Sequence, residues 1–207
     1  MTAHDRATLE QGVRSFCERG DYAAAATLSL KGYGPEIFGF LVAVHRSESE
    51  ASDIFSHVAE AIWLGLPTFA WESTLRTWAY GIARNLARTS KRNAERRERR
   101  GRRTGESALE FVAKAVRTTT LEFLRTEKKT RLQLLRDALP EEDRILLVLR
   151  VDRGLSWNDL ARVLAEGGGE TPLDKAAVAK EAARLRKHFQ VVKDRLREKA
   201  RKEGLVV

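Results

Sequence analysis

Phe69-Ala70-Trp71-Glu72-Ser73-Thr74-Leu75-Arg76-Thr77-Trp78-Ala79-Tyr80-Gly81-Ile82-Ala83-Arg84-Asn85-Leu86-Ala87-Arg88, followed by a strongly basic run to Arg103, decides the fold class. Leu75, Trp78, Ala79, Ile82 and Leu86 recur at steps of three and four, the apolar stripe of an amphipathic helix that needs a core to pack against. Thr77, Gly81, Arg84, Arg88 and Lys91 keep the same rhythm on another face, with Tyr80 beside them. The spacing therefore predicts one helix with a core side and a cationic, partly aromatic side. The short loop before it, Pro67 to Ser73, carries Phe69 and Trp71 with little apolar context. Rings beside a basic helix suit unstacked bases, because any base stacks on an aromatic face while phosphates meet arginine. The same rings also suit the closing of a hydrophobic corner, and residue types alone leave both readings open.

Outward from this stretch, charge is unevenly spread. The 207-residue chain carries a net +9, and its 43% hydrophobic content is enough for real cores and against wholesale disorder. Such a length suits one domain or two small ones. Between Ser29 and Glu72 six acids (Glu36, Glu48, Glu50, Asp53, Glu60 and Glu72) face only Lys31 and Arg46. Between Arg84 and Arg103 ten arginines and lysines face only Glu95 and Glu98. Adjoining acidic and basic surfaces imply two different partners, and the excess of positive charge favours an anionic one such as nucleic acid. Cys17 stands alone, which rules out a disulfide framework and fits a reducing cytoplasm. No apolar run approaches membrane-spanning length, so membrane insertion is not expected.

Every segment reads as helix or turn, and none shows the strict alternation of a half-buried strand. Asp5 to Glu18 forms a helix that Gly20-Asp21 breaks, and Tyr22 to Leu30 continues helically. Lys31-Gly32-Tyr33-Gly34-Pro35 reads as a turn, although helical neighbours could absorb it, before the apolar helix of Ile37, Phe38, Leu41, Val42 and Val44. Ser47-Glu48-Ser49-Glu50 resembles a helix entry, and the next helix runs through Ile54, Phe55, Val58, Ile62 and Trp63 until Pro67 stops it. After Arg88 the apolar period fades, and Gly101 to Ser107 has the composition of a linker. A second helical unit begins near Thr130. Pro140 with Glu141, Glu142 and Asp143 opens a helix that ends at Gly154, and Ser156 with Asp159 forms a capping-box variant for the next. Gly167-Gly168-Gly169 closes that helix, and a long one runs from about Asp174 to Glu203. After Asp174 it holds eleven lysines and arginines against Glu181, Asp194, Glu198 and Glu203. Helix, cap, short helix, turn and basic helix is the order of a helix-turn-helix unit, although any small three-helix bundle shares it.

These residues carry a family resemblance. Asp53-Ile54, then Trp63-x-Gly65-Leu66-Pro67-x-Phe69, then Leu75-Arg76-Thr77-Trp78-x-Tyr80-x-Ile82-Ala83-Arg84-Asn85 look like region 2 of a bacterial RNA polymerase sigma factor of the sigma-70 family. The match is to the compact extracytoplasmic-function group. Leu139-Pro140-Glu141-Glu142-Asp143-Arg144, followed by Gly154-Leu155-Ser156-Trp157-Asn158-Asp159-Leu160-Ala161, resembles that group's region 4. The resemblance implies an all-α chain: a region 2 helical domain over residues 1–96 with its N-terminal arm, a basic flexible linker over 97–129 that is partly helical, and a region 4 helix-turn-helix domain over 130–207. It implies a cytoplasmic, non-enzymatic subunit without cofactor or metal that joins core RNA polymerase and directs it to promoters.

The resemblance also assigns residues. Glu50, Asp53, His57 and Glu60 would meet the coiled coil of the polymerase's largest subunit. Phe69, Trp71, Glu72 and Ser73 would take a flipped base of the melted −10 strand. Asn85, whose amide can pair bidentately with adenine, would read DNA with Tyr80 nearby, and Arg84, Arg88, Lys91 and Arg92 would hold phosphates. Lys180, Arg184, Lys187 and His188 are the −35 candidates. Promoter DNA, as duplex and as melted single strand, is the expected ligand, and an anti-sigma factor is a further candidate partner. Two departures stand out: Ser56-His57 replaces the glutamine-glutamate pair that usually follows the aspartate, and the recognition helix lacks the usual Val-Gly-Thr-Val-Lys-Ser run.

Other classes compete with this reading. Asp53, His57 and Glu60 share one helical face and invite a metal, but no second histidine–carboxylate pair accompanies them. No Gly-x-Ser-x-Gly, Walker loop or paired cysteines argue for an enzyme. The serious rival is a stand-alone helix-turn-helix regulator whose first half dimerises or binds an effector; a basic RNA-binding helical protein is a third class. A regulator gives no reason for an aromatic loop ahead of a basic helix, whereas strand melting does.

Overall fold

The computed structural model describes residues 1–97, 108–126, 131–165 and 173–204; the side chains of 91–97, 108, 121–126 and 131–133 lie outside that description. Among the described residues the chain is all-α, with helices α1 (Ala3–Glu18), α2 (Tyr22–His45), α3 (Glu48–Gly65), α4 (Leu75–Arg97), α5 (Ala108–Thr126), α6 (Arg131–Asp137), α7 (Glu141–Leu147), α8 (Trp157–Leu164) and α9 (Lys175–Lys202). The helix starts follow from local chemistry. Thr2 and Asp5 form a reciprocal capping box on α1, Asp21 caps α2, Ser47 caps α3, Ser156 caps α8 and Asp174 caps α9. Gly154 takes the left-handed conformation expected of it, with φ +65°.

Helix α2 is the hub. Ala25, Ala26, Leu30, Tyr33, Ile37, Phe38, Phe40, Leu41 and Val44 are all buried, so this helix is covered on several sides by α1, α3, α4 and α5. The expected turn at Lys31 to Pro35 is absent: α2 runs straight through it with Pro35 inside. The glycines there serve close approach rather than a turn. A β-carbon on Gly32 would overlap a Leu9 methyl of α1, and one on Gly34 would meet Val116 of α5 at 3.0 Å. Burial of so many large apolar groups on both sides outweighs the roughly 3 kcal/mol that an interior proline costs. Trp63, expected on the apolar face of α3, is instead exposed at the helix end.

Within the segment expected as a partly helical linker, α5 is a packed helix. Ala113 and Val116 are buried against α2 and α3, and Arg117 donates to Ser56 Oγ of α3 (2.7 Å) while pairing with Glu110 (2.9 Å). Lys91 and Arg92 continue α4 as helix. The Gly101 to Ser107 linker stretch and Gly167-Gly168-Gly169 lie outside the described residues.

The second unit, α6 to α9, packs α8 across α9, with a wider helical turn at Val148–Asp152 leading into Gly154. The hydrophobic interior is continuous from Val13 and the α2 residues through Leu146, Leu149 and Leu160 to Val192. Polar bonds reinforce the junction. Arg76 of α4 donates from Nε and Nη2 to both Glu36 oxygens of α2 (2.6 and 2.8 Å), and from Nη2 to the Arg153 carbonyl (2.7 Å). Glu10 of α1 accepts from the Tyr33 hydroxyl (2.9 Å) and the Arg76 backbone N–H (3.3 Å). Burial pulls the Arg76 guanidinium down, but hydrogen bonding and charge from Glu36 more than offset it and raise its pKa above the ordinary value.

Glu36→Ala is expected to lower unfolding stability by about 3 kcal/mol, the low end for breaking a buried pair because Glu36 keeps a fifth of its side chain in water. Urea titration checks this. Adding Arg76→Met should recover part of the loss, since the stranded guanidinium is its main source.

Candidate nucleic-acid interface

The loop between α3 and α4 is built as a stack of rings. A single helical turn, Leu66–Thr68, follows α3, and Thr74 accepts from the Thr77 N–H (3.1 Å) to start α4. Between them Phe69 stacks on Trp78 with centroids 4.6 Å apart at 22°, and Trp71 tilts against Phe69 at 4.8 Å. Trp78 in turn rests over Gly65, where a β-carbon would come within 2.8 Å of the indole. Trp71 sits at φ +59°, a left-handed conformation that costs a bulky residue about 1–3 kcal/mol. The Arg14 guanidinium of α1 lies 5.5 Å from the Trp71 ring centroid, a cation–π contact. All three rings are half-buried, so each is part corner and part surface. Beside Trp71 an open groove of about 440 Å³ is lined by Glu10, Arg14, Glu72, Ser73, Thr74, Asp159 and Arg162. Glu72 is exposed and Ser73 half-buried at its rim.

Along α4 the expected face divides. Arg88 is exposed, while Arg84 and Asn85 are half-buried. Burial first, then the neighbouring Arg88, pulls the Arg84 pKa below its ordinary value, and the charges of Glu142 and Glu181 oppose that shift. Its Nη1 is buried with no hydrogen-bond partner among the described residues. The side chains of Lys91 and Arg92 lie outside the described part.

Tyr80 corrects the expectation. It is fully buried, edge-on to Phe40 at 5.6 Å and beneath the Arg76 guanidinium at 5.4 Å, so it belongs to the interior rather than the cationic side. Its position one residue past Ala79 places it on the side of α4 that faces α2, because the buried stripe is wider than the one the spacing predicts. Thr77 and Gly81, expected with it on the polar face, are buried as well.

On α9, Lys180, Arg184 and Lys187 are exposed, and Arg184 is held by both oxygens of Glu181 (2.9 and 2.6 Å). His188 is half-buried. Its Nε2 lies 2.8 Å from Asp143, a buried carboxylate that also accepts from Arg195 (2.7 Å), so the imidazole braces α9 on α7. Trp157 of α8 is flanked by Phe189 at 5.6 Å and by Arg150 at 4.7 Å.

On α3, Asp53, His57 and Glu60 are exposed on one face, with His57 Nδ1 3.9 Å from Glu60. Glu50 turns the other way, 3.0 Å from His45 Nδ1 at the end of α2. The spacing of α3 brings the first three together and leaves Glu50 apart from them. Sequence reasoning missed Arg14, Asp159 and Arg162 beside the aromatic loop. Their spacing gives no sign of it, because each arrives there through packing between helices distant in the chain.

Comparison with known proteins accords with this geometry. Residues 30–97, from the middle of α2 to the end of α4, match the family Sigma-70 region 2. The chain is 31% identical over 151 residues to the RNA polymerase sigma-H factor of Pseudomonas aeruginosa, covering 71% of this chain and 78% of that one.

Tyr80→Phe is expected to leave nucleic-acid affinity unchanged and stability within about 1 kcal/mol, whereas Tyr80→Ala should cost about 3–5 kcal/mol through an unfilled cavity. Thermal melts and a fluorescence-anisotropy titration with single-stranded DNA separate the two.

Proposed function

This chain belongs to the sigma-70 family of RNA polymerase sigma factors, and from that premise we propose how its helices divide the work of promoter recognition. As a member it is a transcription initiation factor that directs core RNA polymerase to promoters. The finer reading places it in the extracytoplasmic-function group, with α2 to α4 as region 2 and α6 to α9 as a helix-turn-helix region 4. It acts without catalysis, on cytoplasmic polymerase; no described helix is long and apolar enough to cross a membrane.

The observation that carries the reading is the ring stack Trp71–Phe69–Trp78 beside a groove and at the head of a cationic helix. Trp71 offers its ring as a stacking surface for a base extracted from the duplex, while Glu72 and Ser73 offer polar groups to the base edge. Asn85 supplies an amide for base reading, and Arg84, Arg88, Lys91 and Arg92 track phosphates along α4. Lys180, Arg184, Lys187 and His188 form the −35 set, with Arg184 steadied by Glu181 and His188 by Asp143. Asp53, His57 and Glu60 present the acid-rich face proposed to dock on the largest-subunit coiled coil. A stand-alone regulator loses its appeal, since family membership already accounts for both the ring-bearing loop and the basic helix.

Trp71→Ala and Asn85→Ala are expected to impair open-complex formation, read by permanganate footprinting, far more than association with core polymerase; equal loss of both would count against the assignment. Replacing Arg84 and Arg88 by alanine should weaken DNA binding for every sequence. It should also flatten the dependence of log affinity on log salt by about 0.7–0.9 per lost phosphate contact. An unchanged slope would mean that these arginines do not touch phosphate.

A further inference from the structure

Trp71 is held by its neighbours rather than by its own backbone. No hydrogen bond between described residues involves Ala70, Trp71 or Glu72. Trp71 itself sits at φ +59°, a left-handed conformation that a bulky side chain keeps only where its surroundings impose it. Phe69, stacked in turn on Trp78, tilts against the indole, and the Arg14 guanidinium of α1 stands 5.5 Å from the ring centroid. Two open grooves border the ring: the one of about 440 Å³ described above, and a second of about 280 Å³ lined by Cys17, Tyr22, Pro67 and Phe69. Arg14 and Trp71 belong to both. The ring therefore has room to turn once the contact with Arg14 is lost.

Helix α1 gives Arg14 a firm base. Val13 beside it is fully buried. Glu10, one turn earlier on the same side of α1, accepts from the Tyr33 hydroxyl and from the Arg76 N–H in the first turn of α4. One side of α1 thus grips both the ring loop and the helix that the loop leads into. The Arg14 side chain is nonetheless 60% exposed, with Glu18 3.4 Å from its Nε, so it contributes little to the core. Nor is its groove built for phosphate: Arg14 and Arg162 there face three acids, Glu10, Glu72 and Asp159.

We infer that Arg14 is a positioning residue of the nucleic-acid interface: through its cation–π contact it keeps the strained Trp71 ring in the attitude that receives an extracted base, and it acts through the ring rather than on the strand. The inference rests on the assignment of the ring loop to base capture. It makes α1, which lies outside the stretch that matches Sigma-70 region 2, part of the machinery that opens DNA. Preorganisation of this kind lowers the cost of ordering the loop when the base arrives.

The test uses the full chain, unaltered and as Arg14→Met and Arg14→Lys, each with 5-fluorotryptophan in place of tryptophan. The Trp71 fluorine resonance is identified by its loss in Trp71→Phe. Arg14→Met should shift or broaden that resonance and leave those of Trp63 and Trp157 in place, whereas Arg14→Lys, which keeps a cation over the ring, should largely preserve it. Assembled with core polymerase, Arg14→Met should lower open-complex formation about two- to fivefold, the size of an exposed cation–π contact, and Arg14→Lys should restore most of it. In a Trp71→Ala background Arg14→Met should cost nothing further. The thermal midpoint and the salt slope of DNA binding should stay as they are, since neither the core nor a phosphate contact is touched. An unmoved Trp71 resonance, a flattened salt slope, or a loss that adds to that of Trp71→Ala overturns the inference. A moved resonance with open-complex formation indifferent to Arg14→Met and to Trp71→Ala alike would overturn the assignment of the loop, and the inference with it.

Discussion

A buried guanidinium organises this molecule. Arg76 is 7% exposed, and its charge is bearable there only because Glu36 meets it with both oxygens and the Arg153 carbonyl takes a further N–H. Those partners come from α2 and from the loop ahead of α8, while the backbone N–H of the same residue reaches Glu10 on α1. Four distant parts of the chain therefore have to arrive together to satisfy one residue. Apolar packing around α2 supplies most of the driving force for collapse, but it is indifferent to small slips. The directional bonds of Arg76 are not, and they select one arrangement of α1, α2, α4 and α8.

From that constraint follows the character of the candidate interface. With Arg76 and Thr77 turned inward, α4 presents its cationic residues only from Arg84 onward, and its first turns serve as a seat for α8. The rings of the preceding loop are then displayed at one end of the seat, held by Gly65 on one side and by Arg14 on the other.

Much of the fold is legible in the sequence. Periodicity announces an all-α chain, and caps such as Ser47 and Ser156 announce where helices start, because these signals are local. The aromatic loop, the acidic face of α3 and the basic α9 can also be read from composition. What escapes is non-local. Lys31 to Pro35 carries every mark of a turn, yet tertiary burial overrides it, and the glycines that suggest a turn are sites of helix contact. Helical rhythm puts Tyr80 on the DNA-facing side, but rhythm gives direction around an axis and not the neighbour waiting there. Arg14 and Asp159 give no sign of their position beside the ring loop, since nothing in their own segments encodes it.

Gly32 carries a last implication. With a Leu9 methyl occupying the place where its β-carbon would be, the seam between α1 and α2 admits even an alanine only if the Leu9 side chain gives way. The first helix is accordingly a fitted component and not a detachable arm. Trimming the chain back to α2 would bare the flank that Val13 and Leu9 now shield, strand the Tyr33 hydroxyl, and take away the cation that steadies Trp71. Biochemistry on the ring-bearing loop therefore calls for a chain that keeps α1 whole.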